Sequence, residues 1–262
     1  MMYPHHQESL QIMQEYFEKQ DVIALIFGGS VAKGTERPDS DLDAMVVVSD
    51  EIYRHRQAEH RTAETIGGLC TYEGGYFDVK YMTKDFLLDA AEHGSEPARN
   101  AFLKARVLFT RDPEIPDILA RIPVFQTHEK EEKLLSFYAD YWLNHFYFLK
   151  GCRVEGYMRL HAVGEIVYSL YRILLQEHEV LFACNRRLEE QVASLDPACA
   201  EVARLGRVAA ATQTDEDVEA FVAAFHRASS YVPPKDNAAV LSAYTRDFEQ
   251  WWREPRPNVN EW

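Results

Sequence analysis

The sequence predicts a chain in two parts, a domain of mixed strands and helices over residues 1–125 and an all-helical domain over 126–262. Three observations carry this. Short β-branched apolar runs separated by turn signals recur in the first half. From about Thr127 the apolar residues fall instead at helical spacing. No strand-like alternation interrupts that second half, and the boundary is set near Ile122-Pro123.

The elements follow in order. Leu10, Ile12, Met13, Tyr16 and Phe17 predict a helix over 8–20. Residues 22–27 are a buried strand by length and β-branched content. Ser30 to Lys33 can form a short helical turn, and Gly34 to Asp39 is a loop with turn chemistry. Residues 41–48 are a second strand, 51–66 a polar exposed helix ending at Gly67-Gly68, and 76–82 a third, half-buried strand. Thr83 caps a helix running to Ala91, and 106–110 form a further strand. Helices are then expected over 129–150, 157–178, 186–193, 198–210, 215–228 and 238–252. Thr214-Asp215-Glu216-Asp217 is a helix-start signature close to a capping box. Glu254 to Trp262 is expected to be an irregular tail with Trp262 as an anchor.

Composition narrows the class. With 47% hydrophobic residues, 14 Phe and 14 Tyr, the chain can build real cores, so global disorder is excluded. No run approaches the ~20 apolar residues of a membrane span, and the N-terminus lacks the apolar core of a signal peptide. Cys70, Cys152, Cys184 and Cys199 are widely spaced without a CxxC pair, which reads as reduced thiols in a cytoplasmic protein. The net charge of −14 spreads over both halves and argues against nucleic acid as a partner. It suits small cationic substrates better than long polyanions.

The chemistry concentrates in residues 28–43. Gly28-Gly29-Ser30 ends the first apolar run, and glycine there lets backbone N–H groups approach a phosphate, with a helix start adding donors. Asp41 and Asp43 open the next strand two residues apart, hence on one face, where both can grip a divalent ion. Asp78, flanked by Phe77 and Val79, supplies a third carboxylate from a later strand, and Lys80 shares its face. No Lys-Ser or Lys-Thr follows the glycines, so this is not a Walker loop. Elsewhere, His161 and Glu165 read as a helical i,i+4 pair rather than metal ligands. The aromatic stripe from Phe137 to Phe148 reads as core, and His5-His6 is too short for a metal tract.

Gly29-Ser30, a variable loop, Asp41-x-Asp43 and Asp78 resemble the signature of the polymerase β-type nucleotidyltransferase superfamily. With a helical second half, the chain looks like the aminoglycoside and lincosamide nucleotidyltransferases. The resemblance implies an α+β fold whose mixed or antiparallel sheet carries the catalytic site, followed by a helical substrate-binding bundle. It further implies two Mg²⁺ ions held by Asp41, Asp43 and Asp78, with a nucleoside triphosphate held by Gly29 and Ser30, and Lys80 as a phosphate neutraliser. The reaction would move a nucleoside monophosphate, AMP from ATP, to a hydroxyl of a small molecule such as an aminoglycoside-like antibiotic. Asp78, Glu155 or Glu165 would accept the proton, and a homodimer is compatible because related enzymes build clefts across subunits. Two other readings stay open: transfer to tRNA or a protein side chain, and a non-catalytic regulatory module of toxin–antitoxin type.

Overall fold

The computed structural model describes residues 2–253. The chain divides into two compact units, Met1–Val124 and Phe125–Trp262.

The first unit is built on a five-stranded mixed sheet. Its strands are β1 (Ala24–Gly28), β2 (Leu42–Val47), β3 (Ala63–Gly67), β4 (Tyr76–Met82) and β5 (Arg106–Thr110), in the spatial order β3-β4-β2-β1-β5. β1 pairs antiparallel with β2 and β5, β3 antiparallel with β4, and β2 parallel with β4. Side-chain alternation sends the central strands into two apolar layers. Leu25, Phe27, Leu42, Val46, Phe77 and Val79 pack with Met13 and Phe17 of helix α1 (Pro4–Glu18). Ala24, Ile26, Met45, Val47 and Met82 face Leu87, Phe102, Ile118 and Ile122. These come from or adjoin α4 (Lys84–His93), α5 (Glu96–Ala101) and α6 (Ile115–Arg121); α2 (Gly29–Lys33) and α3 (Asp50–Ala58) complete the unit. Ser49, Thr83 and Ser95 cap α3, α4 and α5 by accepting from Ile52, Phe86 and Ala98 N–H.

The structure corrects two expectations here and adds two helices. α1 begins at Pro4, a residue suited to a first helical turn. The helix expected over 51–66 stops at Ala58, and β3 follows on the sheet edge. Polar residues hid that strand: Glu64 accepts from Arg61 and from the Tyr81 hydroxyl at 2.9 and 2.6 Å, so its charge is satisfied at the edge. α5 and α6, in segments where the sequence predicts no element, are short helices with Pro97 and Pro116 near their N-termini.

The second unit contains α7 (Lys130–Trp142), α8 (Gly156–Glu177), α9 (Asn185–Ala193), α10 (Pro197–Thr212), α11 (Asp215–Ala228) and α12 (Asn237–Tyr244). α7 runs on as a π-helix over Leu143–Cys152, where one regular helix to residue 150 is expected. α12 likewise continues as a π-turn over Thr245–Glu249. The core joins Phe137 and Tyr141 to Ile166, Leu170, Leu174, Val192, Val202, Phe221 and Phe225. Phe137 and Tyr141 of the aromatic stripe are buried, whereas Phe146 is exposed. Fully buried Arg172 lies over the Phe137 and Phe182 rings, 4.4 and 4.1 Å from their centroids. Thr214 caps α11 by accepting from Asp217 N–H. No described helix is long and apolar enough to cross a membrane. The tail expected over Glu254 to Trp262 lies outside the described residues.

Candidate active site

Three strand ends assemble the site. β2 and β4 run parallel with Asp43 directly opposite Asp78, and β1 places Gly28 opposite Asp43 on the other side. Asp41 precedes β2 by one residue and shares the face of Asp43. That face also carries Met45 and Val47, so the carboxylates crown an apolar layer.

Gly29 explains the glycine pair. Its φ is +72°, and a Cβ built there would lie 1.6 Å from Asp43 Oδ2. The Asp43 carboxylate therefore rests on the Gly29 backbone, in space that only glycine leaves free. Ser30 follows in the first turn of α2, and Gly34 closes that turn in the left-handed conformation, its N–H returning to the Ser30 and Val31 carbonyls. The glycine turn and the Asp43 carboxylate thus share one packed contact.

Burial raises Asp43 from the usual 3.8 to about 6, Asp41 and Asp78 adding repulsion, while Lys80 and Lys33 oppose the rise. The Tyr76 phenol is raised mainly by its hydrogen bond to the Asp41 carboxylate. Lys80 Nζ donates to Asp78 Oδ2 at 3.2 Å. Lys33 donates to Asn100 Oδ1 at 2.8 Å. Tyr76 and Lys80 thus each restrain one acid while Asp43 bears the repulsion. Hard oxygen donors and a surplus of negative charge fit a divalent cation such as Mg²⁺. The ligand atoms of the three carboxylates do not all lie within 4.8 Å of one another, however. Among the described residues, the one His, Cys, Asp and Glu group with all ligand atoms within 4.8 Å of each other is His178, Asp196 and Cys199.

Residues that the sequence leaves unmarked shape the approach to Asp41. His6 Nε2 and the Tyr72 hydroxyl both donate to the Ser40 carbonyl, at 3.1 and 2.6 Å, and His5 Nε2 donates to Pro38 O at 2.9 Å. His6 is fully buried. The pair His5-His6 is therefore a clamp on the loop that delivers Asp41. Removing both donors to Ser40, in a His6→Ala/Tyr72→Phe variant, is expected to weaken metal–nucleotide binding by about 10-fold or more through misplacement of Asp41. Calorimetry checks this, with circular dichroism confirming the fold.

Glu155 and Glu165 lie in the second unit. Glu155 is the N-cap residue of α8, exposed, and lines a cavity of about 480 Å³ with His145, Lys150, Arg159 and Glu219. Glu165 lines another, of about 490 Å³, with Tyr168, Tyr171, Leu188 and Glu189. His161 Nδ1 stands 3.8 Å from Glu165 Oε1, the expected helical pair. Glu165 has a second partner that spacing does not reveal. Buried Asp140 is raised to about 8 by burial and by the Glu165 charge, and its carboxyl O–H donates a hydrogen bond to Glu165. Ser169 Oγ and Asn144 Nδ2 donate to Asp140 at 2.6 and 2.9 Å.

This pair sets a pH dependence. A carboxyl raised from 3.8 to about 8 stabilises the fold below pH 4, and that contribution is lost as pH rises through 8. The slope for one proton is at most about 1.4 kcal/mol per pH unit. Asp140→Asn is expected to flatten the fall in Tm between pH 5 and 8, read by calorimetric scans of both proteins.

Comparison with known proteins adds an independent finding. Residues 7–92 match the family model described as a nucleotidyltransferase domain. The chain gives no significant match among curated proteins. Among solved structures it aligns with a nucleotidyltransferase-like protein from Exiguobacterium sibiricum 255-15, at 13% identity and a TM-score of 0.43 over 96% of this chain and 81% of that one. It also aligns with the spectinomycin adenyltransferase AAD(9) from Enterococcus faecialis, solved with ATP and spectinomycin, at 12% identity and a TM-score of 0.33 over 94% and 99% of the two chains. The family match spans α1 to α4, and so takes in Gly29-Ser30, Asp41, Asp43 and Asp78. By that match, residues 7–92 of this chain are similar to a nucleotidyltransferase domain.

Proposed function

We propose that the chain transfers a nucleoside monophosphate, AMP from ATP, to a hydroxyl of a small cationic molecule of the aminoglycoside type. The contact of Gly29 with Asp43, which joins the phosphate cradle to the acid cluster, is the observation that supports this most. Gly29 and Ser30 would bind the β- and γ-phosphates through backbone N–H groups and the Ser30 hydroxyl. Asp41, Asp43 and Asp78 would hold the two Mg²⁺ ions. When bound, Mg²⁺ neutralises triphosphate charge and makes the α-phosphorus more electrophilic.

The substrate hydroxyl attacks that phosphorus, the Pα–O bond to the β-phosphate breaks, and pyrophosphate leaves. Asp78, 32% exposed, accepts the hydroxyl proton. Lys80 and Lys33 balance the charge that accumulates. Positioning and charge neutralisation supply most of the acceleration.

The small cationic acceptor is supported by the charge of −14 and by acidic lining in the second unit, where Glu165 and Glu189 face one cavity. Cytoplasmic residence agrees with the four free thiols. The test is a panel of labelled nucleoside triphosphates against hydroxylated amines, other polyols and bulk tRNA. The reading expects Mg²⁺-dependent pyrophosphate release with a hydroxylated amine. Labelling of tRNA alone would overturn the acceptor class, and no transfer to any acceptor would favour a regulatory role.

A further inference from the structure

His178, Asp196 and Cys199 come together where α8 ends and α10 begins, in the second unit. His178 Nε2 lies 3.2 Å from Asp196 Oδ2, and one ligand atom from each residue lies within 4.8 Å of the others. Cys199 is fully buried, while the His178 and Asp196 side chains are 32% and 39% exposed. The cluster thus has a closed sulfur side and an open face.

The hydrogen bonding of His178 bears on what the cluster holds. Its Nδ1 lies 3.0 Å from the Leu174 carbonyl, which can only accept, so Nδ1 carries the proton. In a neutral ring that turns the Nε2 lone pair toward the Asp196 carboxylate. In that neutral form two acceptors face each other, an arrangement that either a second ring proton or a metal ion between them relieves. A backbone carbonyl on the far nitrogen is also the usual way a metal-ligating histidine is oriented. Asp196 is tied from behind as well, its Oδ1 accepting from Cys199 N–H at 2.8 Å, which leaves Oδ2 toward the cluster. Nearby, Glu177, whose charge acts on the Cys199 thiol, has Oε2 buried without a hydrogen bond. Its Oε1 is taken by Ser230 N–H and hydroxyl.

A cysteine nucleophile is a poor alternative. Burial drives the thiol to about 12, and no solvent reaches the sulfur. A magnesium site is excluded by donor type, since a thiol and an imidazole suit a borderline dication. In tetrahedral zinc sites ligand bonds of about 2.0–2.3 Å hold neighbouring ligand atoms roughly 3.3–3.7 Å apart, close to the observed N–O separation.

We propose that His178 Nε2, Asp196 Oδ2 and Cys199 Sγ bind one Zn²⁺-like transition-metal ion, with water at the open fourth position, fastening the end of α8 to the start of α10. On binding, the thiol loses its proton to solvent as the metal–sulfur bond forms. The site is separate from the carboxylates of the nucleotidyltransferase domain and of opposite chemical preference.

The experiment is a Co²⁺ titration of the full chain in excess Mg²⁺, followed by absorbance and by displacement with Zn²⁺. Expected are one Co²⁺ per chain, a thiolate-to-metal charge-transfer band, and loss of the band with one equivalent of Zn²⁺. Cys199→Ser should abolish the band. His178→Gln, at a partly exposed position and so without risk to the core, should weaken Zn²⁺ binding by at least about 100-fold and remove the Zn²⁺-induced rise in Tm. Absence of the band at saturating Co²⁺, its survival in Cys199→Ser, or unchanged Zn²⁺ affinity in His178→Gln would overturn the proposal. The trio would then be an ordinary histidine–aspartate ion pair beside a helix cap. Nucleotide transfer does not enter any of these readouts, so the outcome is independent of the proposed reaction.

Discussion

Asp43→Asn is expected to lower nucleotidyl transfer by at least about 10³-fold while raising the Tm of the metal-free protein. The two effects share one cause. Asp43 is raised to about 6 by burial and by the charges of Asp41 and Asp78. A carboxyl so raised contributes stability below pH 4 that is lost as pH climbs through 6, so at neutral pH the ionised group is a liability. After allowance for its partial exposure, the penalty is on the order of 1–2 kcal/mol. Asparagine keeps the shape and removes the charge. In the proposed reading the same change also removes the central cation ligand, since Asp43 lies against Gly29 and is paired with Asp78 in the register of β2 and β4. Thermal scans in EDTA and pyrophosphate-release rates in Mg²⁺ measure the two halves. A variant that loses stability along with activity would show that Asp43 is structural rather than functional.

Gly29→Ala is expected to destabilise the first unit by about 2–4 kcal/mol and to abolish transfer as completely as loss of Asp43. An alanine there must adopt φ near +72° and place Cβ 1.6 Å from Asp43 Oδ2 and 2.3 Å from Cγ. Either the α2 turn unwinds or the Asp43 side chain leaves its place, and both outcomes separate the cradle from the acids. Gly34→Ala is the matched control. Its φ is +74°, yet nothing lies within 4 Å of an added Cβ. That variant should carry only the backbone cost, about 1–2 kcal/mol, and keep its transfer rate. Denaturant unfolding and initial rates on both variants separate strain from collision.

Much of this site is legible in the sequence because its parts have local signatures. Gly29-Ser30, Asp41-x-Asp43 and Asp78 stand at strand ends, where apolar runs make strands 1, 2 and 4 visible. What joins them is not local. That Asp43 lies opposite both Gly28 and Asp78 follows from pairing register, which the apolar pattern of each strand leaves undetermined. β3 is obscured because Glu64 and Thr65 alternate on an edge, and ion pairs rather than apolar packing satisfy that edge. The π-helix over Leu143–Cys152 has the same apolar content as a regular helix and differs only in hydrogen bonding. The roles of His6 and Tyr72 depend on contacts with a residue more than thirty positions away. Asp140 and Glu165 meet across two helices, so the proton they share has no counterpart in spacing.

The central claim is that the glycine turn and the three carboxylates act together as a metal–nucleotide site. Calorimetric titration of the full chain with each nucleoside triphosphate, in Mg²⁺ and again in EDTA, tests it most directly. The account predicts saturable binding of at least one triphosphate in Mg²⁺, lost in EDTA and lost in Asp43→Asn. Absence of binding in Mg²⁺, or binding that persists unchanged in EDTA and in the Asp43→Asn protein, would contradict it.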